Sequence, residues 1–95
     1  MYDKEFETLI AELLYKLYRR GIWGGKHTPL RNLYHLTSKI IVKDSEKAAK
    51  ELSNLGWIQA KKSTGEIHVS LNPHKKQEIR DFILKALRIS PDLLK

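Results

Sequence analysis

The chain has 95 residues and a formal net charge of +7, enough for one domain with a single modest core. It contains no cysteine, which excludes disulfides and thiolate zinc sites, and no apolar run approaches the roughly 18 residues that a membrane span needs. Together with an acidic, amphipathic N-terminus unlike a secretory signal, these features predict a cytoplasmic protein with no membrane partner.

The charge is unevenly distributed along the chain. Residues 1–15 carry one lysine and four carboxylates, a net charge of −3, whereas the other 80 residues carry 17 basic and 7 acidic side chains, a net charge of +10. A basic body behind an acidic first segment favours an anionic partner, with nucleic acid the leading candidate. A lysine-rich surface that only keeps the protein in solution explains the same charge equally well.

Residues 2–20 are predicted to form the first helix, because apolar side chains recur there with helical spacing. Acidic residues lie in its first turns and basic residues in its last, which suits the helix dipole, and Gly21 is a natural C-terminal stop. We expect this helix to be a scaffold of the core. Its apolar face consists of Phe6, Leu9, Ile10, Leu13 and Leu17.

A glycine-rich stretch follows, and its spacing matches neither the P-loop nor the dinucleotide-binding pattern. We predict a loop there, or a short irregular strand around Ile22 and Trp23. Thr28 is a credible N-cap and Pro29 suits a first helical position, so a short helix is predicted over residues 29–36.

Residues 37–43 contain three consecutive β-branched residues, which disfavour a helix, and they are interpreted as the turn that leads to the next helix. That helix is predicted over residues 44–55, capped by Asp44 or Ser45 and stopped by Gly56. On its own it is better explained as an ordinary solvated amphipathic helix than as a nucleic-acid-binding one. Its inner side consists of Ala48, Leu52 and Leu55, flanked by Ala49.

Residues 58–71 are predicted to form a two-stranded hairpin, because apolar and polar residues alternate on both sides of a turn. Gly65 supplies the positive backbone angle that a hairpin turn needs. Lys61 and Lys62 lie beside the turn, where a wing contacts the DNA backbone or minor groove, although lysine also protects an edge strand from pairing. A helix followed directly by such a hairpin favours the DNA interpretation.

Residues 73–88 are predicted to form a terminal helix, with Asn72 as its N-cap and Pro73 in its first turn. Such a helix packs on the first helix within one subunit, or it forms a homodimer, either with its own counterpart or through the first helix. The sequence leaves both arrangements open. The apolar stripe available for either contact includes Ile79, Phe82, Ile83 and Leu87.

Three short motifs carry a resemblance to a known superfamily. They are Lys26-His27-Thr28-Pro29, Lys50-Glu51-Leu52 followed by Gly56 and Ile58, and Ser70-Leu71-Asn72-Pro73. With the order of the predicted elements across residues 2–87, the chain resembles the winged helix-turn-helix superfamily and, within it, small uncharacterised archaeal proteins. The resemblance implies an α+β, mostly α fold: a three-helix core, a two-stranded β-hairpin wing and an extra C-terminal helix. The 37–43 connection departs from this pattern, because it is longer than the usual turn.

The resemblance also implies that the 44–55 helix enters a major groove of double-stranded DNA and that the 59–68 hairpin flanks it. The expected function is that of a DNA-binding transcriptional regulator. Because the helix is rich in lysine and has no arginine, phosphate contacts are expected to outweigh base reading, and an RNA target stays open. The expected DNA-binding residues are Lys43, Lys47, Lys50 and Asn54 on the helix, Lys61 and Lys62 on the wing, and Lys26 and Arg31 beside them.

Two other functions compete with DNA binding. A protein-interaction module within a larger transcription or nucleic-acid-processing complex would use the terminal helix and the apolar pair Leu93–Leu94. An enzyme is not expected, because no catalytic set can be placed and the histidines lack the spacing of a zinc site. We therefore expect no catalytic residue, no metal site and no cofactor. The four histidines are His27, His35, His68 and His74.

Overall fold

A computed structural model of the chain describes residues 4–32 and 42–94, with the backbone alone at residues 42–45 and 63. This part of the chain is a small, mostly helical α+β structure. Its helices are α1 (Lys4–Arg20), α2 (Val42–Asn54) and α3 (Lys76–Leu87), and its strands are β1 (Thr28–Pro29), β2 (Ile58–Ser63) and β3 (Glu66–Leu71). The strands form one antiparallel sheet in the order β1-β3-β2, so β3 is the middle strand.

The core lies where α1, α2 and α3 meet one face of the sheet. The predicted apolar face of α1 is confirmed, since Ile10, Leu13 and Leu17 are buried and Phe6 and Leu9 are half-buried against the same cluster. Burial of this apolar surface is the main stabilising term available to a chain without cysteine. The other fully buried large side chains of the core are Leu14, Leu52, Val69, Leu71, Ile79 and Ile83.

Two of the helices end in the same hydrogen-bonded glycine motif. At the end of α1, Gly21 has a φ of +67°, its N–H donates to the carbonyl of Tyr18, and the next N–H reaches Leu17. At the end of α2, Gly56 has a φ of +77°, its N–H donates to Ser53, and the next N–H reaches Leu52. This pair of bonds satisfies terminal carbonyls and requires a left-handed residue, for which glycine is best suited. Both predicted glycine stops are confirmed.

The helix predicted to begin at Pro29 begins one residue later, as a 3-10 turn at residues 30–32. Thr28 and Pro29 form β1 and pair with Val69 and His68 of β3. Proline is compatible with an edge strand, since its missing N–H is not needed there, and the β-branched Thr28 suits extended backbone. The Thr28 hydroxyl accepts a hydrogen bond from the side chain of Asn32 at 3.3 Å. Residues 33–36 of the predicted helix lie outside the described residues.

Helix α2 begins at Val42, two residues before its predicted start. Asp44 and Ser45 therefore lie within its first turn and not at the position before it. The prediction failed because a β-branched residue lowers helix propensity by only a few tenths of a kcal/mol, about as much as one good contact restores. The inner side is otherwise as predicted, with Ala48, Ala49 and Leu52 buried. Leu55 is the exception: it follows the last helical residue and is 46% exposed.

The predicted hairpin is confirmed, with Ile58 opposite Leu71 and Ser63 opposite Glu66. Its two-residue turn is Thr64-Gly65, with φ angles of +47° and +81°. Two successive positive angles match the twist of the flanking strands, which is why this turn type closes tight hairpins. One face of the hairpin joins the core through Ile58, Val69 and Leu71, whereas Ala60 on the same face is exposed.

Helix α3 packs on α1 within the chain. Asn72 accepts a hydrogen bond from the N–H of His74, as the predicted cap, but it opens a 3-10 turn, Pro73–Lys75, from which α3 continues. Ile79 and Ile83 are 0% exposed in this core. They are therefore unavailable to a partner subunit, and the predicted homodimer stripe is wrong for these two residues.

The rest of that stripe is also engaged within the chain. Phe82 lies edge-on to Trp57, with ring centroids 5.5 Å apart, and Leu87 packs against the core cluster. The apolar end of the chain folds back in the same way: Leu94 is 3% exposed and accepts a hydrogen bond from the buried hydroxyl of Tyr18 at 3.3 Å. None of the helices in residues 4–32 and 42–94 is long and apolar enough to cross a membrane.

Candidate nucleic-acid interface

The outward side of α2 carries the predicted binding residues in one stripe. Lys47, Lys50 and Asn54 are exposed, and Lys43 extends the same row at i, i+4, i+7 and i+11 spacing, although its side chain is not among those described. This spacing puts all four positions on one side of a helix, opposite the buried Leu52. The geometry of α2 thus follows the prediction.

Lys47 is partly engaged inside the molecule. Its Nζ lies 5.2 Å from the ring centroid of Phe6 on α1, within the range of a cation–π interaction. At an exposed position such a contact is worth about 0.5–1 kcal/mol, too little to prevent the ammonium from also reaching an anion. Lys50, one turn further along the stripe, is therefore the less constrained of the two lysines.

The two lysines of the hairpin lie on opposite faces of the sheet. Lys61 is opposite His68 and Lys62 is opposite Ile67 in adjacent cross-strand pairs, and neighbouring residues of a strand point to opposite sides. Lys62 borders a hollow of about 360 Å³ that also touches Glu46 of α2 and Arg31. Lys62 is thus on the α2 side of the hairpin, and Lys61 is not.

Arg31, one of the predicted DNA-binding residues, forms an ion pair within the chain. Its Nη1 lies 2.7 Å from Oε1 of Glu66, and the two side chains are 66% and 33% exposed. An exposed pair of this kind contributes at most about 1 kcal/mol, so a phosphate could compete for the guanidinium. Lys26 is exposed in the loop before β1. Lys26 lies beside the glycine loop, and in the described part of the chain no hydrogen bond or ion pair connects its side chain to α2.

Most of the predicted DNA-binding lysines have no carboxylate partner in the described part of the chain. Within residues 4–32 and 42–94, no ion pair joins Lys50, Lys61 or Lys62 to a carboxylate. The ion pairs found there are those of Arg31 and His68 with Glu66 and of Lys75 with Glu78. Free ammonium groups on a helix and on the hairpin packed against it are suited to phosphate oxygens.

The sheet face that turns away from the core holds a second polar surface that sequence reasoning missed. Gln59 opposite Ser70 and Lys61 opposite His68 form two cross-strand pairs on this face. The alternation of apolar and polar residues in the hairpin predicts that these four residues share one face. It does not predict which other segment of the chain lies next to that face. They form the floor of a groove of about 520 Å³, here called the outer groove, lined in full by Gly24, Gly25, His27, Gln59, Lys61, His68, Ser70, Asn72, Pro73 and His74.

Backbone hydrogen bonds bring the glycine loop to the outer groove. The N–H of Leu71 donates to Ile22 at 2.8 Å, and the N–H of Gly24 donates to Leu71 at 3.0 Å, so the loop is fixed beside the end of β3. His27 then lies across from His68, with perpendicular rings 6.3 Å apart. Three histidines thus border one groove, yet no group of three or more metal-binding side chains is placed to hold an ion in the described part of the chain. His35 lies outside it.

Comparisons of the chain with protein-family models, with curated proteins and with solved structures found no match.

Proposed function

We propose that the protein is a winged helix-turn-helix protein that binds duplex DNA and acts as a transcriptional regulator. The described elements are compatible with that layout: a helix, a short strand, a second helix followed at once by a hairpin, and a terminal helix. In this proposal α2 is the recognition helix, which enters the major groove, and the β2–β3 hairpin is the wing beside it.

The observation that carries the proposal is the pattern of free lysines on α2 and the adjoining hairpin. Lys50 and Lys62 are exposed, and neither is paired with a carboxylate in the described part of the chain. Both belong to elements that pack on each other, α2 against β2. In a chain with a net charge of +7, such a surface attracts a polyanion over a long range.

The residue types of this surface suit contacts with phosphates better than the reading of bases. Lysine is a compact point charge that suits phosphate, whereas the bidentate reading of guanine favours arginine, which α2 lacks. Asn54 can read adenine, but it is the last residue of α2, away from the N-terminal end that usually enters the groove. We therefore expect salt-dependent and weakly sequence-selective binding.

Salt dependence tests the proposal directly. If about three lysines each neutralise a phosphate, the log–log slope of affinity against salt is about −2.7, and affinity falls about 40-fold between about 50 and about 200 mM salt. Fluorescence anisotropy with a labelled duplex of mixed sequence measures this slope. A flat response would contradict binding through phosphates.

A charge reversal on α2 locates the surface. Lys50→Glu should lower duplex affinity by about tenfold or more, because it replaces an attraction by a repulsion at one phosphate. Lys85→Glu is the matched control: Lys85 is also exposed, but lies near the end of α3. It should change affinity by less than about threefold. Equal losses for both variants would show that net charge matters and that α2 does not.

A further inference from the structure

The residues that line the outer groove are of the types found in anion-binding sites. Its lining includes one lysine and three histidines and no carboxylate. Lys61 is exposed, and the amide of Gln59 lies on the same strand face, two residues away. Ammonium, amide and imidazole N–H groups that converge without an acidic residue suit an acceptor-rich, negatively charged ligand.

The carboxylate of Glu66 lies beside His68 and is already paired. Oε2 of Glu66 lies 3.8 Å from Nε2 of His68, and Oε1 of Glu66 is bound to Arg31 at 2.7 Å. Arg31 thus balances the charge of Glu66 at the edge of the sheet. Glu66 does not line the groove, so a ligand anion there would not meet its carboxylate.

Three polar side chains of the outer groove take part in hydrogen bonds within the chain. Ser70 is 1% exposed, and its hydroxyl donates to Oε1 of Gln59 at 3.4 Å. With its oxygen turned towards Ser70, the amide of Gln59 has its N–H₂ group left for a ligand. At the end of the groove, Asn72 is fixed by a 2.7 Å hydrogen bond to the carbonyl of Gly56.

We propose that the outer groove binds the phosphate group of a nucleotide-sized phosphate ester. Its volume of about 520 Å³ exceeds what a bare phosphate fills and lies in the range of small-molecule sites. Lys61 and the amide of Gln59 hold the phosphate, while the imidazole rings of His27 and His68, which are perpendicular to each other, supply flat surfaces of the kind on which a base stacks. The ligand is a free nucleotide or the phosphorylated end of a nucleic-acid strand.

This proposal goes beyond duplex binding and does not depend on it. The outer groove opens on the sheet face of Lys61, whereas the duplex surface is α2 with the Lys62 face of the hairpin. A loss of one binding activity would therefore leave the other measurable on the same protein.

Amide chemical-shift mapping of the ¹⁵N-labelled full chain with adenosine monophosphate tests the site. Shifts should concentrate at Gly25, His27, Lys61 and His68, and adenosine without its phosphate should bind at least about tenfold more weakly. Lys61→Ala should weaken binding of the monophosphate by about tenfold. Lys62→Ala, on the opposite face, is the matched control and should change it by less than about twofold.

A second pair of probes separates the two sources of phosphate. A short single-stranded oligonucleotide with a 5′-phosphate that binds more tightly than adenosine monophosphate identifies a strand end, and the reverse order identifies a free nucleotide. The proposal is overturned if adenosine binds as well as its monophosphate, if Lys61→Ala leaves the affinity unchanged in a folded protein, or if the shifts lie on α2 instead. His68→Gln, which keeps a polar side chain on the groove floor, gives an independent check by the same readout.

Discussion

Lys61 and Lys62 are consecutive in the chain, yet they point to opposite faces of the β2–β3 hairpin, across from His68 and Ile67 respectively. One rigid duplex laid along α2 meets the face of Lys62, which borders the same hollow as Glu46 of α2. Lys61 faces the outer groove instead. The two lysines, which are adjacent in the sequence, therefore lie on two separate surfaces of the hairpin.

This geometry predicts unequal roles for the two lysines in duplex binding. Lys62→Ala should lower duplex affinity about threefold to tenfold and make the salt slope less negative by about 0.9, the value of one lost phosphate contact. Lys61→Ala should leave the slope within about 0.3 of the unmodified protein. Anisotropy titrations at four or more salt concentrations measure both slopes. Equal changes for the two variants would mean that the duplex contacts the hairpin tip from both sides.

The elements that sequence reasoning predicted well are those with a short-range signal. Apolar spacing identified α1, and alternation with Gly65 identified the hairpin, because both patterns arise from the repeat of one element. Gly21 and Gly56 marked two helix ends because the left-handed position of the terminal motif favours glycine. For each of these, the local sequence already contains the physical cause.

What could not be predicted depends on residues distant in sequence. A two-residue strand such as β1 has no periodicity, and Thr28-Pro29 is as suitable for a helix start as for an edge strand until β3 pairs with it. The outer groove is a stronger case, since it joins His27, Lys61 and His74 from three parts of the chain. Only the pairing of the strands and the bonds of the glycine loop bring them together.

The hairpin turn offers a test of stability. Thr64 has a φ of +47°, a region that a β-branched residue enters only at a cost of roughly 1 kcal/mol. Thr64→Asn should raise the free energy of unfolding by about 0.5–1 kcal/mol, because asparagine tolerates this conformation and is favoured in such turns. Chemical denaturation measures the change. Gly65→Ala, at a φ of +81°, should instead lower stability by about 1–2 kcal/mol, and similar effects of the two variants would refute the turn geometry.

The packing of α3 on α1 predicts a large difference between two apolar residues near the C-terminus. Ile83 is 0% exposed, so Ile83→Ala should lower the free energy of unfolding by about 2–5 kcal/mol through lost burial and a residual cavity. Leu93 is 54% exposed, and Leu93→Ala should change it by no more than about 0.5 kcal/mol. Thermal or urea unfolding of both variants gives the comparison. A small decrease in the free energy of unfolding for Ile83→Ala would contradict the packing of α3 on α1.

Glu12 on α1 links stability to pH. Burial raises the pKa of its carboxyl above the ordinary value of 4.5, because desolvation disfavours the charged form. The folded chain therefore binds more protons than the unfolded chain between the two pKa values. The resulting stabilisation is fully present below the unfolded pKa and is lost as the pH rises through the folded pKa. At neutral pH the ionised carboxylate of Glu12 thus destabilises the fold relative to a neutral side chain.

Glu12→Gln should consequently raise the free energy of unfolding at pH 7 by only about a few tenths of a kcal/mol, because solvent screens this partly exposed carboxylate, and the gain should shrink as the pH falls towards 4.5. Urea unfolding at several pH values measures this trend. Glu5→Gln is the control: Glu5 is exposed in the first turn of α1, where its charge suits the helix dipole, so its neutralisation should lower stability by a few tenths of a kcal/mol. A gain for Glu12→Gln that stayed constant down to acidic pH would arise from packing or helix propensity, and the burial of a carboxylate would not be its cause.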